Sequence, residues 1–260
     1  MSSYETINVA IDDSVAILTL DCPKKLNAMD HALLRELLDA TTKINDDDFI
    51  RVVILTGAGR SFCAGADLKM KSPARQTVEE HLKNDHRPIL SAIRSATKPW
   101  ISAVNGAAAG VGSAYAMNCD LTVMAEDAYL YQAFSAIGLV PDGGATWHLT
   151  RTIGRKRAYE VIATGEKLSA ARCLELGLCN RVVAPERLLE ETLAWAKELA
   201  KRAPLSLRHA KTAVRVAGES DLDTTFDREA ELQTLCSASE DYREGVAAFM
   251  EKREPEFKGR

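Results

Sequence analysis

Nothing in these 260 residues approaches the apolar length that a membrane-crossing helix needs. The opening MSSYET has neither the apolar core of a secretory signal nor the Arg-rich pattern of a transit peptide, so a cytoplasmic protein is expected. Cysteine is present but unorganised. Cys22, Cys63, Cys119, Cys173, Cys179 and Cys236 lack metal-ligand spacing and several have apolar neighbours, so reduced, mostly buried thiols are expected. There is no glycine-rich P-loop with its lysine and no histidine–carboxylate cluster at metal-binding spacing, which argues against nucleotide hydrolysis and against a metal. A basic excess is also missing: 33 Lys and Arg stand against 37 Asp and Glu, a net charge of −4 that weighs against nucleic acid as a partner. With 46% hydrophobic and 27% charged residues, the composition is that of an ordered chain with one sizeable core and room for a small appendage.

What the chain does have is two glycine-rich stretches about forty residues apart. The first, Ser61 to Leu68, reads SFCAGADL and follows the apolar run Val52 to Thr56, so it reads as a strand emptying into a tight turn eased by Gly65. The second, Asn105 to Ser113, reads NGAAAGVGS, follows the run Trp100 to Val104, and opens a helical stretch to Asn118. Its leading amides therefore fall at a helix N-terminus, where orphan N–H donors and the helix dipole favour negative charge. Small residues of this kind also serve simple close packing. Two such loops, each following a strand, point instead to paired backbone donors for one carbonyl oxygen, an oxyanion hole.

Along the chain, short β-branched runs alternate with helical segments, an α/β order. Strands are expected at Val15 to Leu20, Val52 to Thr56, Pro99 to Val104, Leu121 to Met124, Tyr129 to Phe134 and Cys179 to Val183. Asp30 is placed to cap a helix running to Asn45, with Leu33, Leu34, Leu37 and Leu38 on one stripe. A second helical stretch, Thr77 to Ala96, carries Pro88, which should restart or kink it. From Pro185 onward the pattern is almost wholly helical, with Leu188 to Arg202, Ser206 to Ala217 and Leu222 to Cys236 reading as an all-α module and Pro204 breaking the first two apart.

Four blocks in order, PKKLNA from Pro23, SFCAGADL from Ser61, Asn105 to Asp120, and IGLVPDGG from Ile137, followed by EGVAAFMEKR from Glu244, resemble the crotonase superfamily, the enoyl-CoA hydratase/isomerase family. The resemblance spans essentially the whole chain. It implies a crotonase-like spiral of ββα turns, a core over residues 1–200 carrying the CoA and acyl sites, and a C-terminal helical trimerisation module over 201–260. It implies assembly as a homotrimer or a dimer of trimers. The N–H groups at Ala66 and Val111 would polarise an acyl-CoA thioester and stabilise its enolate; coenzyme A is then part of the substrate, and no separate cofactor is expected.

An oxyanion hole needs a proton carrier beside it. The family's hydratases use two glutamates, and the matching positions here are Ala114 and Phe134, neither of which can exchange a proton. The carboxylate left in the matched segment is Asp142. Pro-Asp-Gly is also an ordinary turn sequence. Asp142 nevertheless resembles the lone aspartate of the family's enoyl-CoA isomerases, the ring-1,2-epoxyphenylacetyl-CoA isomerase group among them. One carboxylate suits isomerisation, because the same base can remove a proton from one of the α and γ carbons and return it to the other. Phe134, Ile137, Leu139, Val140 and Trp147 should make its surroundings apolar and raise its pKa.

Glu80, with Glu79 and Asp85 on the same helical stretch, is the possible second acid/base group. His86 invites comparison with aryl-halide dehalogenases, but the spacing from Pro99 puts Ser91 at the matching site. For coenzyme A, the resemblance points to Lys24 and Lys25, to backbone around Ala64, Asp67 and Leu68, and to Phe249 and Lys252, the last two often from an adjoining subunit. Two other readings stay open: an atypical hydratase that draws on a different carboxylate, and a non-catalytic acyl-CoA or RNA-binding member of the fold.

Overall fold

Val52–Gly57 (β3) is an unbroken apolar run, and every residue of it is buried, as a strand covered on both faces must be. The computed structural model describes residues 4–69 and 76–260, so the first three residues of the opening read for a leader lie outside the described residues. Around β3 a six-stranded sheet runs in the order β1 (Ile7–Asp12), β2 (Val15–Leu20), β3, β5 (Trp100–Val104), β7 (Leu121–Ala125), β10 (Arg181–Val183). It is parallel from β2 to β10, with β1 antiparallel at one edge. A second sheet of four short strands, β4 (Ser61–Cys63), β6 (Ala107–Ala109), β8 (Tyr129–Tyr131) and β9 (Lys167–Ser169), is parallel through β8 and closes with antiparallel β9.

The chain alternates between the two sheets. β3 passes to β4, β5 to β6 and β7 to β8, and each pair is followed by helix, which is the expected spiral of ββα turns. The strands anticipated from the sequence are present, with Tyr129 to Phe134 shortened to three residues. The short strands β4, β6 and β9 carry no alternation long enough to read.

Helix α1 (His31–Asp46) begins where anticipated. The Asp30 side chain accepts from the Leu33 N–H, and Leu33, Leu34, Leu37, Ala40 and Ile44 are buried. The stretch around Pro88 is divided more finely than a kink: α2 (Val78–His81), a π turn over Leu82–His86, and α3 (Arg87–Ser95) with Pro88 in its first turn. Helix α4 (Val111–Asn118) is buried almost throughout, and α5 (Ala145–Ile153), α6 (Arg155–Thr164) and α7 (Ala170–Glu175) connect to β10.

Helix α8 (Leu188–Ala200) reads in the sequence with the C-terminal module, yet it packs across β2, β3, β5 and β7, and Leu188, Ala196 and Ala200 join the core. The helices beyond it, α9 (Pro204–Ala217), α10 (Leu222–Ser237) and α11 (Glu240–Glu251), bury little and leave Val214, Leu222, Phe226 and Phe249 exposed. All six cysteines are free thiols, four of them buried. Among the described residues no helix is long and apolar enough to cross a membrane.

Two buried fittings hold the glycine-rich loops together. Asn27, fully buried with φ 57°, accepts from the Cys22 N–H at 2.9 Å, and its Nδ2 lies 3.0, 2.7 and 3.2 Å from the carbonyls of Ala58, Ser61 and Phe62. Gly112 lies against β4 so closely that a Cβ there would stand 2.5 Å from the Cys63 carbonyl oxygen. Asn27→Ala strands buried polar groups and should lower stability by about 3 kcal/mol in urea unfolding. Gly112→Ala must push β4 from α4 and should cost about 2 kcal/mol in the same measurement.

Candidate active site

The first glycine-rich loop is laced to the turn before α1. The Ala64 N–H donates to the Leu26 carbonyl at 3.0 Å, the Asp67 N–H to Met29 at 2.9 Å, and the Met29 N–H returns to Gly65 at 2.8 Å. The Gly65 N–H faces the Cys63 sulfur at 3.4 Å. Of the four amides from Ala64 to Asp67, that of Ala66 alone has no acceptor among the described residues. Gly65 makes the turn at φ 98°, which a side chain would resist.

The second donor is set by Gly110, whose φ of 53° and ψ of −132° turn the chain out of β6 and into α4. The Gly110 N–H is used, donating to the Tyr131 carbonyl at 2.9 Å, while its own carbonyl accepts from the Ser113 N–H and hydroxyl. Val111 is then the first residue of α4, where an N–H has no intrahelical acceptor. The two loops touch: a Cβ on Gly65 would lie 2.9 Å from the Ala109 carbonyl oxygen and 3.7 Å from the Gly110 Cα. Two unclaimed amides thus flank one contact between backbones.

Asp142 comes to the same place through Gly143. A Cβ on Gly143 would stand 2.7 Å from the Ala114 Cβ, 3.0 Å from Val111 Cγ2 and 3.6 Å from Leu90 Cδ1, so this glycine presses on the first turns of α4. The φ values of Gly143 and Gly144, 59° and 86°, let the segment fold back before α5. The Asp142 Oδ1 is buried with no hydrogen-bond partner. Burial pushes the Asp142 carboxyl up to about 6, partly offset by the nearby His81 charge.

Ala114 and Phe134 are both buried, and the Phe134 Cζ would lie 3.9 Å from a Cβ on Gly110, so an apolar ring overhangs the second donor. The rest of the apolar wall anticipated around Asp142 is placed elsewhere. Ile137, Leu139, Val140 and Trp147 are exposed, and Trp147 lies between the guanidinium groups of Arg94 and Arg151, 5.1 and 4.3 Å from its ring. Desolvation comes instead from the α3 and α4 side of the segment, where Leu90, Val111, Ala114 and Tyr115 are buried.

Glu80 caps α2: its carboxylate accepts from the Thr77 N–H at 2.8 Å and the Thr77 hydroxyl at 2.9 Å, a capping box on the exposed side of the helix. Glu79 pairs with Lys83. Lys25 bridges Asp30 at 3.0 Å and Asp67 at 3.4 Å, beside the Ala66 loop, with Lys24 exposed next to it and Leu68 76% exposed. Phe249 and Lys252 lie at the far end of α11, and no hydrogen bond or ion pair among the described residues ties them to that loop.

Three side chains escaped the sequence reading. Tyr115, buried on α4, reaches the His86 Nδ1 at 3.3 Å, and burial takes the His86 imidazole down to about 4, which keeps it neutral. His81 lies beyond His86 with ring centroids 5.0 Å apart, and its Nδ1 is 2.5 Å from the Asp85 carboxylate. His31, brought over from α1, completes a histidine–carboxylate cluster whose ligand-type atoms lie within 4.8 Å of one another, although linear spacing indicated none. The His81–Asp85 spacing of four residues was the available signal.

Residues 10–260 match the profile of the enoyl-CoA hydratase/isomerase family. The chain is 38% identical to the 1,2-epoxyphenylacetyl-CoA isomerase of Escherichia coli, over 96% of this chain and 97% of that protein. It is 37% identical to the 2,3-dehydroadipyl-CoA hydratase of the same organism, over 97% of this chain and 98% of that one. The crystal structure of an enoyl-CoA hydratase subunit from Geobacillus kaustophilus superposes with a TM-score of 0.93 at 37% identity, covering both chains completely. With the paired donor loops and the spiral of ββα turns, these likenesses establish that the chain belongs to the enoyl-CoA hydratase/isomerase family of the crotonase superfamily.

Proposed function

We propose that this protein is an acyl-CoA isomerase that shifts a double bond through an oxyanion-stabilised thioester dienolate. The observation that carries the reading is the carboxylate of Asp142, with its buried and unpartnered Oδ1, beside two unclaimed amides and with Ala114 and Phe134 at the positions of the hydratase glutamates. The Ala66 and Val111 N–H groups hold the thioester oxygen. As Asp142 takes a proton from the α carbon of a 3-enoyl thioester, the C–H electron pair moves into the conjugated system and charge gathers on that oxygen. The carboxyl then returns a proton to the γ carbon, and no water is added. Lys24 and Lys25 receive the phosphates of coenzyme A, with Ala64, Asp67 and Leu68 along the nucleotide path. Phe249 and Lys252 act from a neighbouring copy in a homotrimer or dimer of trimers, a reading supported by the exposed apolar residues of α9, α10 and α11.

Asp142→Asn is nearly isosteric and removes the base. Conversion of a 3-enoyl-CoA, followed by mass spectrometry, should fall at least about 100-fold. Undiminished turnover in the variant overturns the assignment, and formation of a 3-hydroxyacyl product from a 2-enoyl-CoA would make hydration the activity.

The Asp142 carboxyl sits near 6 against 3.8 for an ordinary aspartate, so the base is protonated at low pH and kcat/KM should rise through an acid limb centred near pH 6. The sign for stability is the reverse. Because the folded-state pKa is raised, the folded protein holds this proton up to pH 6 and loses stability as pH climbs through the interval from about 4 to 6. Asp142→Asn should therefore gain about 2 kcal/mol over the wild type at pH 8 and nothing near pH 3.5, after allowing for the water that still reaches the residue.

A further inference from the structure

Gly143 rests on α3 and α4 so closely that the chain beside Asp142 has no slack. The nearest of its neighbours is Ala114, whose Cβ would stand 2.7 Å from a Cβ built on the glycine, with Val111 Cγ2 next at 3.0 Å. Ala114 is fully buried, so a longer side chain there has no solvent to turn into. Helix α4 beneath the glycine is pinned along its length. Its Gly112 lies against Cys63, and its Ser113 N–H and hydroxyl donate to the Gly110 carbonyl at 3.0 and 2.7 Å. The Ala116 carbonyl accepts from the Ser102 hydroxyl at 3.0 Å, and the Asn118 side-chain amide donates to the Leu90 carbonyl at 2.9 Å. The segment above is held far less. Its flanking bonds run from the Leu139 N–H to the Phe134 carbonyl at 2.9 Å and from the Ala145 N–H to the Asp142 carbonyl at 3.0 Å. Between them, no backbone acceptor among the described residues takes the amides of Val140, Asp142, Gly143 or Gly144, and Leu139 and Val140 are exposed. Bulk added at position 114 therefore displaces Gly143 rather than α4, and the adjoining Asp142 moves with it.

We propose that Ala114 is a positioning residue whose single methyl group, through Gly143, sets where the Asp142 carboxylate stands, so that position 114 decides between one-carboxylate and two-carboxylate chemistry in this chain. The inference rests on the isomerase reading. Ala114 is then more than the trace of a lost glutamate. A glutamate restored there adds a carboxymethyl group to a contact without room for one further methyl, and it drives Gly143 outward. The hydratase pair and the Asp142 base thus exclude one another on this backbone. Where the segment yields, two carboxylates share an apolar space in which both cannot stay ionised. Val111 Cγ2 is the second point of the footing, which ties the placement of the base to the residue that supplies one oxyanion donor. The donors themselves are backbone N–H groups on the pinned side of the contact, so a larger residue 114 leaves them in place. The defect expected is one of alignment, which falls on kcat and spares acyl-CoA binding.

The test compares the wild type with Ala114→Ser, Ala114→Val and Ala114→Glu. Two quantities are read: kcat for isomerisation of a 3-enoyl-CoA, and the Kd of butanoyl-CoA, a saturated thioester that takes the same site and has no double bond to shift. The kcat should fall in the order Ser, Val, Glu, reaching about 100-fold, the cost of misplacing a reacting group by about 1 Å, while the Kd stays near that of the wild type. Ala114→Glu should form no 3-hydroxyacyl product from a 2-enoyl-CoA. A purely structural role would weaken binding in step with kcat. Undiminished kcat in Ala114→Val, a Kd that rises as kcat falls, or an Ala114→Glu variant that isomerises like the wild type and also hydrates, each overturns the proposal. Ala114→Ser adds a single oxygen atom and reads the proposal even where the larger variants fail to fold. Absence of any isomerisation by the wild type overturns the isomerase reading itself, and this inference with it, whereas undiminished turnover in the variants overturns this inference alone.

Discussion

The contact between two stretches of bare backbone governs the rest of the structure. Gly65 approaches the Ala109 carbonyl and Gly110, and Gly112 approaches the Cys63 carbonyl, at separations that leave no room for a methyl group. That contact fixes where two amide dipoles converge, and convergence is what gives an oxyanion hole its strength: donors already in place need no reorganisation as charge develops. The supporting parts follow from it. Asn27 locks the turn behind the first loop, Leu26, Met29 and the Cys63 sulfur take up the amides on either side of Ala66, and Ser113 with Gln132 secures the carbonyl of Gly110.

Around this fixed point the electrostatics are sparse. With Ala114 and Phe134 buried in place of carboxylates, the site keeps one ionisable acid on its inner wall, and burial of that carboxyl is what raises its pKa to about 6. Burial acts in opposite directions on the two kinds of group: it raises Asp142 and lowers His86, so near pH 7 the imidazole of His86 is neutral while Asp142 is mostly the carboxylate that a base must be.

Much of this was legible in the sequence because it is written locally. Asp30 before an apolar stripe announces α1, and a glycine run after a β-branched strand announces a donor loop. The loss of the glutamates is visible at single positions. The alternation between two sheets was not derivable from periodicity, since β4, β6 and β9 are three residues each and their partners lie far along the chain. Residues such as Leu139 and Val140 misled for a related reason. Apolarity states that a side chain favours dry surroundings, not which neighbour supplies them, and in the single chain these two face outward. His31 meets His81 only because α1 and the π turn pack together.

The position of α8 has a consequence for how the molecule comes into being. The face of the parallel sheet formed by β2, β3, β5 and β7 is covered by this late helix, and the join is fastened by Lys197 to Asp12 at 2.7 Å and by the Arg51 guanidinium to the Ala200 and Phe257 carbonyls at 3.1 and 2.6 Å. A ribosome builds the chain from the other end. Strands complete by residue 125 wait uncovered until residue 200 has left the exit tunnel, so for a large part of synthesis the nascent protein displays its most apolar surface and depends on its helper machinery to keep that surface from its neighbours.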